Sequence, residues 1–116
     1  MEEIKKIIVD FNASKFNSLG IITKTQKQAD TLYESLNNLF QIKLLNAVSA
    51  AFGSGIVITT AHLAKGLEFD QVIVPYCTDK NYHAAPDRQM LYVACTRTMH
   101  KLYLTHIANP SKFILE

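Results

Sequence analysis

"IVITTAHLAKGLEFDQVIV", residues 56–74, decides how this chain is read. Two apolar, β-branched runs, residues 56–60 and 72–75, are nearly continuous in hydrophobicity, as strands buried on both faces are. The gap between them holds His62, Lys65, Gly66 and Glu68, polar groups able to touch a nucleotide or a phosphate. In an open α/β sheet, ligands sit at the carboxyl ends of the strands. These four residues follow the first of the two strands, so a site is expected just past its end. A glycine at 66 would let the backbone turn or approach a ligand closely. The competing reading is a tight turn with solvated Lys65 and Glu68.

Working outward, Ile4, Ile7, Ile8 and Phe11 fall at i, i+3, i+4 and i+7, which predicts a helix over residues 2–12. Residues 19–23 form a short apolar run suited to a buried strand. Thr25 with Gln28 reads as a capping box that opens the next helix. Ala29, Leu32, Tyr33, Leu36 and Leu39 line one face of it, and its end is expected near Asn37 and Asn38. A brief strand at 42–45 and a small-residue loop at 49–55 lead back to residue 56. Beyond residue 75, a helix from about 86 to 100 and a strand at 101–106 complete the chain. Helices alternating with short apolar strands indicate an α/β layer structure with a mainly parallel sheet.

The 116 residues, 48% hydrophobic and 19% charged, have the length of one domain, 1–116, with enough apolar matter for a core. A formal net charge of +2 does not by itself indicate nucleic-acid binding. No apolar run reaches the ~18 residues of a membrane span, and the first residues, MEEIKKIIVDF, are too charged for a signal peptide. A cytoplasmic location and no membrane partner are therefore expected. Cys77 and Cys95 do not make a secreted disulfide framework and are read as free thiols. Cys77, His83, Cys95 and His100 lack the close paired spacings of a zinc site, so no metal site is expected. Tyr92, in an apolar helix, and Tyr103, in a strand, are read as packing residues, and Tyr82 as exposed.

The second informative stretch is "PDRQMLYVACTRTMHKLYL", residues 86–104. Met90, Val93, Ala94 and Arg97 share one helical stripe, which puts a guanidinium on the side of core-type residues. A guanidinium there requires an anion, either a carboxylate such as Glu68 or Asp70 or a phosphate from outside the domain.

Together the two stretches carry a resemblance. "TTAHLAKGLEFDQVIVP" resembles motif V, and "DRQMLYVACTRTMHKLYL" motif VI, of UvrD/Rep-type superfamily 1 helicases, and "GIITKTQKQADTLYESL" is similar to the region around motif IV. The likeness spans residues 18–106. It implies the second, RecA-like motor domain, a layered α/β/α structure that faces a Walker-bearing first domain across an ATP cleft. It further implies that Arg97 is the motif VI arginine reaching the γ-phosphate, the catalytic finger of phosphoryl transfer. Gly66 and Glu68 match positions that approach the nucleotide, with Glu68 near the ribose. Lys65 would serve either ligand, or orient Glu68. Lys24 stands where many relatives carry a nucleotide-contacting arginine, and lysine does not reproduce that bidentate geometry. Thr60 and His62 match positions that face single-stranded DNA.

Two departures matter. The pattern G-x-x-x-x-G-K-[ST] does not occur, and no acidic Walker B strand is evident, so the Mg²⁺ ligands for ATP are expected in the first domain, absent here. The chain is thus expected to be part of an ATP-hydrolysing helicase and inactive by itself. The connection from 46 to 55 is short where many such helicases insert an accessory domain, and a compact second motor domain with "YVACTR" in motif VI is similar to the HelD-like branch, which associates with RNA polymerase. The alternative function is a non-hydrolytic docking module or a segment of such a polymerase-associated ATPase.

Overall fold

The computed structural model describes residues 2–45, 55–64, 67–76 and 85–105. The elements run α1 (Glu2–Asn12), β1 (Ser18–Thr23), α2 (Gln26–Leu36), β2 (Ile42–Leu44), β3 (Gly55–Thr60), β4 (Phe69–Val74), α3 (Ala85–Cys95) and β5 (Thr98–Leu104). The strands form one sheet of order β2-β3-β1-β4-β5, with every pairing parallel. The α/β/α layering with a parallel sheet therefore holds.

Alternation along the strands sends side chains to two cores. Leu19, Ile21, Ile56, Ile58 and Ile73 pack with Ile4, Ile8 and Phe11 of α1 and Ala29, Leu32 and Leu36 of α2. On the other face Ile22, Val57, Phe69, Val72 and Val74 pack with Ala61 and Ala64 and with Leu91 and Ala94 of α3. Most of these residues are fully buried, so burial of apolar area is the main cohesive force. Gly20 makes room for the Phe69 ring: a Cβ on Gly20 would lie 2.6 Å from a ring carbon. Gly55 enters β3 at φ +99°, a conformation that side chains disfavour, and its N–H donates to the carbonyl of Asn17 at 2.8 Å.

α1 and the strand over 19–23 stand where the periodicity puts them, and α2 is capped as expected. Thr25 Oγ1 accepts the N–H of Gln28 at 3.2 Å. Gln28 Oε1 returns a bond to the N–H of Lys24 rather than to that of Thr25. Three expectations change. The last helix stops at Cys95, not near residue 100, because residues 98–104 are claimed by pairing with β4. Tyr92 is 67% exposed, because α3 turns Leu91 and Ala94 to the sheet and Tyr92 away from it. Leu39 lies past the end of α2 and is exposed rather than on its buried face. The loop at 49–54, Cys77, Tyr82, His83 and the end of the expected strand at 106 lie outside the described residues.

Candidate functional site

In an all-parallel sheet every strand ends on the same edge, so the crossovers determine which residues gather. β3 ends at Thr60 and β4 begins at Phe69, and both pair parallel to β1. The connection 61–68 must therefore return from the carboxyl edge of the sheet to its amino edge. Residues 18–23 of β1 alone span about 17 Å at 3.3 Å per residue. The expectation that His62, Lys65, Gly66 and Glu68 all stand at the carboxyl end is thus corrected. His62 stays there, whereas Glu68, next to the first residue of β4, stands at the opposite edge. Lys65 and Gly66 lie outside the described residues.

The carboxyl edge carries Thr60, His62 and Lys24. Thr60 is buried, and its hydroxyl accepts the N–H of Leu63 at 3.3 Å while its carbonyl accepts that of Ala64 at 2.9 Å. It holds the turn that presents His62, which is exposed. Lys24 follows β1, and its Nζ lies 2.7 Å from Asp87 Oδ1 in the first turn of α3. Between the 61–64 turn and α3 opens a recess of about 230 Å³, lined by Ala61, His62, Gln89, Met90 and Val93. Tyr76, just past β4, is held at φ 59°, and burial pushes its hydroxyl pKa above the ordinary tyrosine value.

The amino edge carries Arg97 and Glu68. α3 runs back across the sheet, so its last turn meets the start of β4, where the N–H of Phe69 donates to the carbonyl of Arg97 at 2.8 Å. Arg97 Nε donates to the carbonyl of Val93 at 3.2 Å, and its Nη2 lies 3.2 Å from Thr96 Oγ1. Among the described residues it makes no ion pair, and Glu68 is exposed and also outside any such pair. The carboxylate partners weighed for Arg97 are not used. Asp70 is committed elsewhere: its Oδ2 accepts the N–H groups of Asn17 at 2.7 Å and Ser18 at 3.2 Å, and its own N–H donates to Ser18 Oγ at 2.9 Å. His100, stacked on Phe16, lies 3.9 Å from the other Asp70 oxygen.

The structure therefore brings Thr60, His62 and Lys24 to one edge and Glu68 and Arg97 to the other. It separates Lys24 from the nucleotide set in which the resemblance puts it. Gln89 and Asp87 were not singled out from the sequence, since a polar residue on a helix of unknown docking carries no signal by itself.

The family described as UvrD-like helicase C-terminal domain matches residues 55–105. The chain is 31% identical to the Gabija protein GajB of Bacillus cereus, over 88% of this chain and 22% of that protein. It is 32% identical to DNA helicase II of Rickettsia typhi, over 56% of this chain and 13% of that protein. It thus spans about a fifth or less of the length of these curated relatives. Its fold superposes on the C-terminal domain of a possible DNA helicase from Lactobacillus plantarum WCFS1 with a TM-score of 0.85 and 27% identity, covering 97% of this chain and 70% of that one.

Proposed function

We propose, on the match of residues 55–105 to the UvrD-like helicase C-terminal domain family, that the chain is the second motor domain of an ATP-dependent DNA helicase. One observation carries this reading: the polar residues divide between two opposite edges of one rigid sheet. A motor domain needs that division, with one edge meeting ATP and the other holding the strand to be moved. α3 joins the two, since Asp87 in its first turn pairs with Lys24 and Val93 in its last turn accepts the Arg97 Nε–H.

At the amino edge, Arg97 would meet the charge that develops on the γ-phosphate, and Glu68 the ribose hydroxyls. A guanidinium without a carboxylate among the described residues suits an external phosphate. Lys65 and Gly66 join this set through the motif alone. ATP would arrive with Mg²⁺, whose ligands belong to the first motor domain. At the carboxyl edge, His62 would contact single-stranded DNA from a turn that Thr60 holds in shape. Lys24, standing on that edge, fits the DNA side better than the nucleotide side.

The test is Arg97→Ala in the intact helicase. ATP turnover is expected to fall by about a thousandfold or more, the scale on which arginine fingers act. Nucleotide affinity should change far less, because the charge that Arg97 meets grows in the transition state. Arg97→Lys should restore little, since a point charge does not reproduce the planar fork. Near-normal turnover in Arg97→Ala would defeat the finger role, whereas no ATP turnover by the unmutated intact protein would favour a non-hydrolytic docking module.

A further inference from the structure

We propose that the recess between the 61–64 turn and α3 binds a single unpaired nucleobase, so that the carboxyl edge grips the strand by a base as well as by its backbone. The proposal rests on the reading of that edge as the DNA side. The recess, about 230 Å³, is smaller than the usual range for whole small-molecule ligands and suits one planar ring system. Its walls differ in chemistry. Ala61 is 2% exposed and presents only a methyl group, which leaves the space open. Met90 and Val93 are half-buried and give apolar contact, and a thioether packs well against an aromatic ring.

The rim supplies what a base requires. His62 is exposed and offers an imidazole face for stacking, and Gln89, exposed in the first half of α3, offers an amide with both donors and an acceptor. Amide side chains read base edges, and single strands present those edges to proteins once unstacked. A phosphate would be a poor occupant, because no cationic side chain lines the recess among the described residues. Lys24 lies on the same edge, where a backbone phosphate would pass.

The experiment is a nuclear magnetic resonance titration of the 116-residue chain, which detects weak binding, with short single strands of deoxyadenosine, deoxythymidine and an abasic sugar-phosphate of equal length. With the base-bearing strands, the Gln89 side-chain amide and the Met90 methyl are expected to shift. With the abasic strand, only signals around His62 and Lys24 should move, and affinity should be about tenfold weaker, the scale of one stacked base. Val93→Trp, which fills the recess, should reduce base-bearing binding to the abasic level. Gln89→Ala, at an exposed position, should do so in part without risk to folding. Shifts at His62 with no response at Gln89 and Met90, or equal affinity for abasic and base-bearing strands, would overturn the base site while leaving the DNA edge standing. Silence at both places, His62 included, would remove the DNA edge and the base site with it.

Discussion

Arg97 shows how much a single residue's partners decide. Its guanidinium holds its own helix end, through the carbonyl of Val93 and the hydroxyl of Thr96, and no described carboxylate. Arg97→Ala should therefore lower the stability of the isolated chain only slightly, by about 1 kcal/mol or less, the worth of a partly exposed capping bond. A thermal melt checks this, and a drop of many degrees would mean that the side chain is chiefly structural. Gly20 is the opposite case. A Cβ there meets the Phe69 ring at 2.6–2.8 Å, and Phe69 is fully buried. Gly20→Ala is expected to cost about 1–3 kcal/mol by overpacking, measured by urea denaturation. Thr59 is buried, and its hydroxyl has no hydrogen-bond partner. Thr59→Val should leave stability unchanged or raise it by about 1 kcal/mol, because an unsatisfied buried hydroxyl is removed at constant shape.

At the scale of elements, the connection 61–68 and the start of β5 set the geometry of the site. The connection begins on the same face as α3, with Ala61 and Ala64 buried in that core. It delivers Glu68 to the edge where α3 ends. β4 is then locked to β1 by Asp70, whose carboxylate accepts two backbone N–H groups at the entry of β1. Charge-assisted bonds of this kind contribute more than neutral ones. Asp70→Ala should cost about 1.5–3 kcal/mol and speed amide hydrogen exchange at Asn17 and Ser18. Unchanged exchange there would show that the strand entry does not depend on Asp70. The Lys24–Asp87 pair, with side chains 23% and 15% exposed, ties β1 to α3 near the surface. Its loss should cost no more than about 1 kcal/mol.

For the whole molecule, alkaline pH is the informative variable. Burial pushes the Cys95 thiol and the Tyr76 hydroxyl above their ordinary values of 9.0 and 10.0. Both groups hold their protons in the folded state at pH values where the unfolded chain has begun to lose them. Their contribution is fully present below the unfolded pKa values and is lost as pH rises through the folded ones. The melting temperature should thus decline as pH climbs above about 9, and Cys95→Ala with Tyr76→Phe should flatten the decline. An identical slope in the double variant would assign the effect to other groups. The chain by itself supplies one wall of the proposed cleft, so the isolated protein is expected to show no ATP turnover in a steady-state assay.

The pattern of apolar residues was enough to place α1, the strands over 19–23 and 56–60 and the start of α2, because hydrophobic period and capping chemistry are local properties. The motif around residues 59–75 likewise pointed to the family from the order of its side chains alone. The division of the site was not local. Glu68 and His62 are six positions apart in the sequence, yet they reach opposite edges because β3 and β4 both run parallel to β1. The end of α3 was also decided at a distance: residues 98–104 satisfy their backbone groups against β4, and sheet pairing overrode a helical stripe that continued to Arg97. The partners of Asp70 were likewise decided at a distance: its carboxylate accepts the N–H groups of Asn17 and Ser18 at the entry of β1. A hydrogen bond between distant segments depends on where the sheet brings them together, and that is a property of the folded molecule.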